Sequence, residues 1–168
     1  MADQGWTRTS RLVHITDVSG PIRYAVEELC AGQLMGELAG ASACCLTRSA
    51  EPRRWPDRQP APVRHRIDIL LGRHLVTASD EPPRGYARSA RLDALTLAPP
   101  AEGGLLVTAR WRAHGRTESC WLGFGDGPDS RTFLLLLRSA VDRASNGRSP
   151  ATDGHRRSGA GVRVSPGR

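Results

Sequence analysis

The stretch VRHRIDILLGRHLVTAS, residues 63–79, decides the fold. Between His65 and Leu71, Ile67, Ile69 and Leu71 fall on one side of an extended chain, with Arg66 and Asp68 on the other. A period of two is the signature of a strand. Gly72-Arg73 supplies a two-residue turn, and His74–Ser79 returns as a second strand. The unit reads as an antiparallel hairpin.

Downstream the same grammar repeats. Asp80–Gly85 (DEPPRG) reads as a loop. Tyr86–Leu97 reads as a long strand whose register shifts near Arg91-Leu92, since Leu92 and Leu95 are out of phase. Pro99–Gly104 is another loop. Leu105, Val107, Ala109 and Trp111 alternate with Leu106, Thr108, Arg110 and Arg112. Ala113–Arg116 reads as a hairpin turn, and Thr117–Phe124 places Cys120, Leu122 and Phe124 on one face. Short connections between successive strands favour an antiparallel meander. Gly125–Ser130 stops the sheet, and Asp129 or Ser130 is placed to cap a following helix. Phe133, Leu134, Leu137, Ala140, Val141 and Ala144 form an apolar stripe at helical spacing, giving a helix over about 130–144.

Upstream, residues 1–10 read as a flexible lead and Arg11–Val18 as a short strand. Pro21 opens a helix expected to run to Leu38, although Gly32, Gly36 and Gly40 weaken its second half. Ala43–Thr47 reads as a strand. Glu51–Pro62 holds four prolines in twelve residues and reads as a surface loop. Residues 146–168 lack an apolar pattern and read as a disordered basic tail. The expectation is one α+β domain over 11–145: an antiparallel meander of five to seven strands, a roll or partly open barrel, closed by a C-terminal amphipathic helix, with an additional N-terminal helix.

Composition narrows the function classes. The chain has 168 residues and a formal net charge of +7. Residues 146–168 hold five Arg and one Asp, a net of +4, and the preceding 145 residues hold 19 Arg and 16 acids, a net of +3. The expected domain is therefore close to balanced. Every basic residue is Arg and none is Lys, which a GC-rich codon habit explains more simply than a recognition surface. The tail has no aromatic residue to stack on bases, which disfavours nucleic acid as a partner; a binder of anionic lipid or nucleic acid through the first hairpin and the tail stands as a third reading. The N-terminal residues lack the apolar core of an export signal and no stretch is long enough to span a bilayer. A cytoplasmic protein with four free thiols, Cys30, Cys44, Cys45 and Cys120, is expected.

The strands ARLDALTL (Ala90–Leu97), GLLVTARW (Gly104–Trp111) and ESCWLGF (Glu118–Phe124), with the helix carrying Phe133 and Leu137, resemble the second half of pleckstrin-homology-like domains of the bacterial and GRAM kind. A START-like helix-grip fold is the rival plan, with residues 11–18, 21–38 and 43–124 laid along it. The first resemblance implies a non-enzymatic binding or scaffolding module with a protein partner. It also implies, by position, that basic residues of a first hairpin grip an anionic ligand. The second implies a small-molecule binder or a cyclase or hydratase with an apolar cavity.

Candidate site residues are few. Arg64, Arg66, Arg73 and His74 flank the first clear strand and its turn. They are the best anion-binding candidates, against the simpler reading of a solvated edge that discourages aggregation. Trp111 is in phase with the core. Trp121 is out of phase with Cys120 and Leu122 and marks an exposed partner surface. The histidines are scattered without metal-ligand spacing, and no metal or cofactor is expected. His114 and Cys120 flank one hairpin, where a turn histidine and a buried cysteine are the simpler reading. Gly123, Gly125 and Gly127 lack the Gly-Lys of a phosphate loop and read as a turn. No catalytic constellation emerges.

Overall fold

Strand β1 (Thr7–Val13) is followed by a 3-10 turn (Ile15–Asp17) and helix α1 (Gly20–Ala31). Strands β2 (Ala43–Ala50), β3 (Val63–Leu71), β4 (His74–Ser79) and β5 (Tyr86–Arg91) come next. A 3-10 turn (Leu92–Ala94) then leads to β6 (Thr96–Leu97), β7 (Gly104–Arg110), β8 (Thr117–Gly123) and helix α2 (Pro128–Asn146). This is a computed structural model, and it describes residues 6–18, 20–31, 38–51, 62–80, 86–112 and 116–147.

The class is α+β, with two antiparallel sheets and no closed barrel among the described residues. One sheet runs β1-β2-β3-β4-β5 in chain order, and the second runs β6-β7-β8. The hairpin at 72–73 pairs Leu71 with His74, and Gly72 takes a φ of 55°, the left-handed conformation such a tight turn requires.

The five-stranded sheet is covered on both faces, so its middle strands are buried on alternate residues of either parity. Ile67, Ile69 and Leu71 of β3 pack with Ile22, Val26 and Cys30 of α1. Leu70, Leu75 and Ala90 face the other way, into a core shared with the second sheet and α2. Trp111, Phe124, Phe133 and Leu137 are fully buried at its centre, with the rings of Phe124 and Phe133 5.5 Å apart. Interiors of this kind pack at crystal-like density.

Four boundaries differ from the sequence expectation. Residues 7–10 belong to β1 rather than to a flexible lead. Their alternation is polar on both faces, because Ser10 meets Thr47 at 2.7 Å and donates to the Phe124 carbonyl at 2.7 Å. Helix α1 is described over Gly20–Ala31, residues 32–37 of the expected helix lie outside the described residues, and its expected end at Leu38 falls in a 3-10 turn, Leu38–Gly40. The long strand expected over 86–97 is two strands in different sheets. The out-of-phase Leu92 and Leu95 mark the point where the chain crosses from one sheet to the other, which also raises the strand count to eight. Helix α2 begins at Pro128 with Gly127 as its N-cap. Asp129 instead accepts from the Leu12 amide at 2.9 Å, and Ser130 donates to the Phe124 carbonyl at 3.0 Å. The Pro-rich loop and the basic tail fall, apart from their first or last residues, outside the described residues.

The seam between β1 and the β8–α2 connection is a close backbone approach. Gly125 has a φ of 79°, and a Cβ placed there would lie 2.3 Å from the Arg8 carbonyl oxygen. Gly125→Ala therefore adds both backbone strain and a collision with main chain. A stability loss of at least about 2 kcal/mol is expected in urea unfolding, and a loss below about 0.5 kcal/mol would show that the seam yields freely.

Candidate functional site

The structure does not bring Arg64, Arg66, Arg73 and His74 together. Arg66 and Leu71 are five residues apart on an extended strand, about 17 Å at 3.3 Å per residue, and the turn lies beyond Leu71. The two pairs therefore serve opposite ends of the sheet.

At the first end, Arg66 points inward. Its Nε donates to Asp68 Oδ2 at 2.8 Å and an Nη donates to the Gly123 carbonyl at 2.9 Å. The guanidinium also lies 5.0 Å from the centre of the Phe124 ring. Asp68 is fully buried and accepts at its other oxygen from the Thr77 hydroxyl, 2.8 Å away. Thr77 stands directly opposite Asp68 on β4, with Arg88 next in the same row on β5. The Arg88 guanidinium sits 4.1 Å over the ring of Trp111. This row is a polar strip in the middle of an apolar core. It joins the five-stranded sheet to β8 and engages Arg66 within the fold. Arg64 stacks over Trp6 at 5.0 Å.

Cys45 and Cys120 border this strip and Cys44 lies on the α1 side of the sheet; all three thiols are held protonated. Burial pushes Cys44 up to about 11. Burial, reinforced by the negative charge of Asp68, pushes Cys45 up to about 12. Burial also raises Cys120, opposed by the positive charge of Arg88. No disulfide links them.

At the other end, Arg73 lines an open pocket of about 320 Å³ with Arg91, Asp93 and Arg143. His74, the next residue, is not among its walls. The three arginines come from the β3–β4 turn, the end of β5 and the last turn of α2. Arg91 and Asp93 form a two-point ion pair, Nε to Oδ1 at 3.0 Å and Nη2 to Oδ2 at 2.7 Å.

Trp121 is where its phase places it, on the outer face of the second sheet, 37% exposed. Directly opposite on β7 is Leu106, 39% exposed. Trp121 also lies over the backbone of Gly104. A Cβ on that glycine would meet its ring at 2.9 Å. Thr108 and Ser119, bonded to each other at 2.7 Å, extend the same face. Leu106 escaped sequence reasoning: the expected 113–116 turn would set it opposite Gly123, whereas the register pairs Arg110 with Thr117 and so Leu106 with Trp121. Arg91 and Arg143 left no such signal, because nothing in one dimension joins them to Arg73. His114 lies outside the described residues.

Among the described residues no three His, Cys, Asp or Glu side chains are grouped to hold a metal ion, and no helix is long and apolar enough to cross a membrane. No protein-family model, curated protein or solved structure matches the chain.

Two outcomes test this description. Removing the charge of Asp68 alone strands Arg66 in the core, so Asp68→Ala is expected to cost about 3–5 kcal/mol. The double change Arg66→Met with Asp68→Leu is expected to recover most of that loss in denaturant unfolding. At pH 8 the native thiols of Cys44 and Cys45 should resist a disulfide reagent. A thiol at about 12 rather than 9.0 exposes on the order of a thousandfold less thiolate. All four cysteines should react once the protein is unfolded, and fast native labelling of Cys45 would contradict its burial.

Proposed function

We propose that this domain is a non-catalytic binding module that docks a protein partner on the outer face of the three-stranded sheet. One observation carries the reading. Leu106 and Trp121 form a directly opposed cross-strand pair on a face where both stay more than a third exposed, while the opposite face of the same strands is packed with core.

An exposed cross-strand pair adds only about 0.2–1 kcal/mol to a sheet. Folding therefore has little need of a tryptophan and a leucine at these positions. Tryptophan is enriched at the energetic centres of protein interfaces. Gly104 lets the indole lie flat on the strand, as a rigid platform. The surrounding Thr108 and Ser119 hydroxyls provide a polar rim. The matching partner surface is an apolar protrusion, aliphatic or aromatic, ringed by hydrogen-bonding groups.

The filled core adds support. Trp111, Phe124, Phe133 and Leu137 occupy the space between the sheets and α2, where a cavity enzyme of the START-like plan would hold its substrate.

The test is affinity capture with the purified chain, repeated with Trp121→Ala and Leu106→Ser. A captured protein should bind the intact chain at least about 30-fold more tightly than the Trp121→Ala form, the loss typical of an interface hot spot. Thermal unfolding should stay within about 1 kcal/mol of the parent. Capture that both substitutions leave unchanged would overturn the reading. So would concentration-dependent self-association abolished by Trp121→Ala, because the face would then belong to a second copy of the chain.

A further inference from the structure

The pocket at the far end of the domain from Arg66 is independent of that docking face. We propose that it binds a small phosphate-bearing dianion, with Arg73, Arg91 and Arg143 as its ligand-holding residues.

The charge count comes first. Among the described residues, three guanidinium groups and one carboxylate, Asp93, are the ionisable groups in the pocket wall, a net of two positive charges. A phosphomonoester carries about −1.5 to −2 at pH 7, so it neutralises the pocket, whereas a monocarboxylate leaves a cation unpaired. Number of acceptors comes second. Guanidinium forks from three separate elements suit a tetrahedral group with three free oxygens, each able to take charge-assisted hydrogen bonds. A carboxylate offers two oxygens in one plane.

The surroundings fit a small ligand. The volume, about 320 Å³, is at the lower end of the range for small-molecule pockets. Leu70 and Leu92 are buried among its walls, and Gly72, Ala140 and Ala144 keep them low. No aromatic residue lines it, so it lacks the stacking platform a nucleic-acid strand uses.

The three arginines also differ in what else they do. Arg91 is oriented by its ion pair with Asp93. Arg143 donates to the Ser139 hydroxyl at 2.9 Å and sits where the negative end of α2 favours a cation. The Arg73 carbonyl accepts from the Leu92 amide at 2.8 Å, but its guanidinium has no hydrogen bond or ion pair to any other described residue. Neither the hairpin nor the sheet needs its charge, so a binding role explains it where a structural role does not.

The experiment is an amide NMR titration of the full chain with inorganic phosphate, and with acetate as the carboxylate control, at fixed ionic strength. Phosphate should give saturable shifts at Gly72, Arg73, Asp93 and Gly147, with acetate at least tenfold weaker. Arg73→Ala should weaken phosphate at least tenfold without moving the thermal unfolding midpoint. Arg131→Ala, which removes an exposed arginine from the first turn of α2, should change nothing. Equal losses in the two variants would reduce the effect to general charge attraction and overturn the proposal. Unchanged phosphate affinity in Arg73→Ala, or acetate equal to phosphate, would do the same. Sedimentation with phosphatidic acid vesicles, set against phosphatidylcholine vesicles, separates the sources. Arg73-dependent binding to the first alone places the phosphomonoester on a lipid, and phosphate binding without vesicle binding makes the ligand soluble.

Discussion

Asp68 is the constraint around which the rest is arranged. A carboxylate with no solvent contact costs several kcal/mol to bury unless its oxygens are occupied. One oxygen takes the Thr77 hydroxyl, which ties β3 to β4 beyond their ladder. The other takes Arg66, which is drawn partly into the core, and whose guanidinium also donates to the Gly123 carbonyl and lies against the face of Phe124. Those contacts lie on and just beyond β8. A single buried charge thus sets where the second sheet closes on the first. Apolar packing alone would be less particular, because the fully buried Ile, Leu and Val side chains of the core tolerate small slips that a directional hydrogen bond does not.

The placement of the chemistry follows from this closure. With Trp111, Phe124, Phe133 and Leu137 filling the space between the sheets, two features are left at the periphery of the described residues: an apolar pair on the outer face of the small sheet and an arginine-lined recess at one end. The recess exists because the chain changes sheets between Arg91 and Thr96. Arg91 closes the ladder opposite His74, and the crossing turns Asp93 out of it toward the end of α2, beside the hairpin turn at Gly72-Arg73.

Much of this architecture was legible in one dimension, and the exceptions share a cause. The hairpin from His65 to Ser79, the strands carrying Trp111 and Leu122, and the apolar stripe of α2 announced themselves by period. The phase of Trp121 against Cys120 and Leu122 announced its exposure. The misreadings occur where polar residues are interior. Ser10 and Thr47 look like surface in sequence, yet they bond to each other and Ser10 to the Phe124 carbonyl between the sheets. Arg66 and Asp68 look like the wet face of a half-buried strand, and their mutual neutralisation is what allows that face to be covered. The recess was invisible for a simpler reason: its three arginines are 18 and 52 positions apart along the chain, and only the crossover brings them together.

The seam at β1 has a bearing on how the molecule comes into being. The Leu12 amide finds its acceptor on Asp129, 117 positions later, and Ser10 finds the Phe124 carbonyl 114 positions later. Hairpins between neighbouring strands can close while the chain is still being made, since each spans few residues. The first strand cannot. Its amide and hydroxyl wait for the start of α2 to clear the ribosome, and the ordering of so long a segment has to be met before they are satisfied. Until then the nascent domain carries an edge strand with polar groups facing an absent neighbour. A segment made more than a hundred positions later is therefore the one that completes the environment of β1.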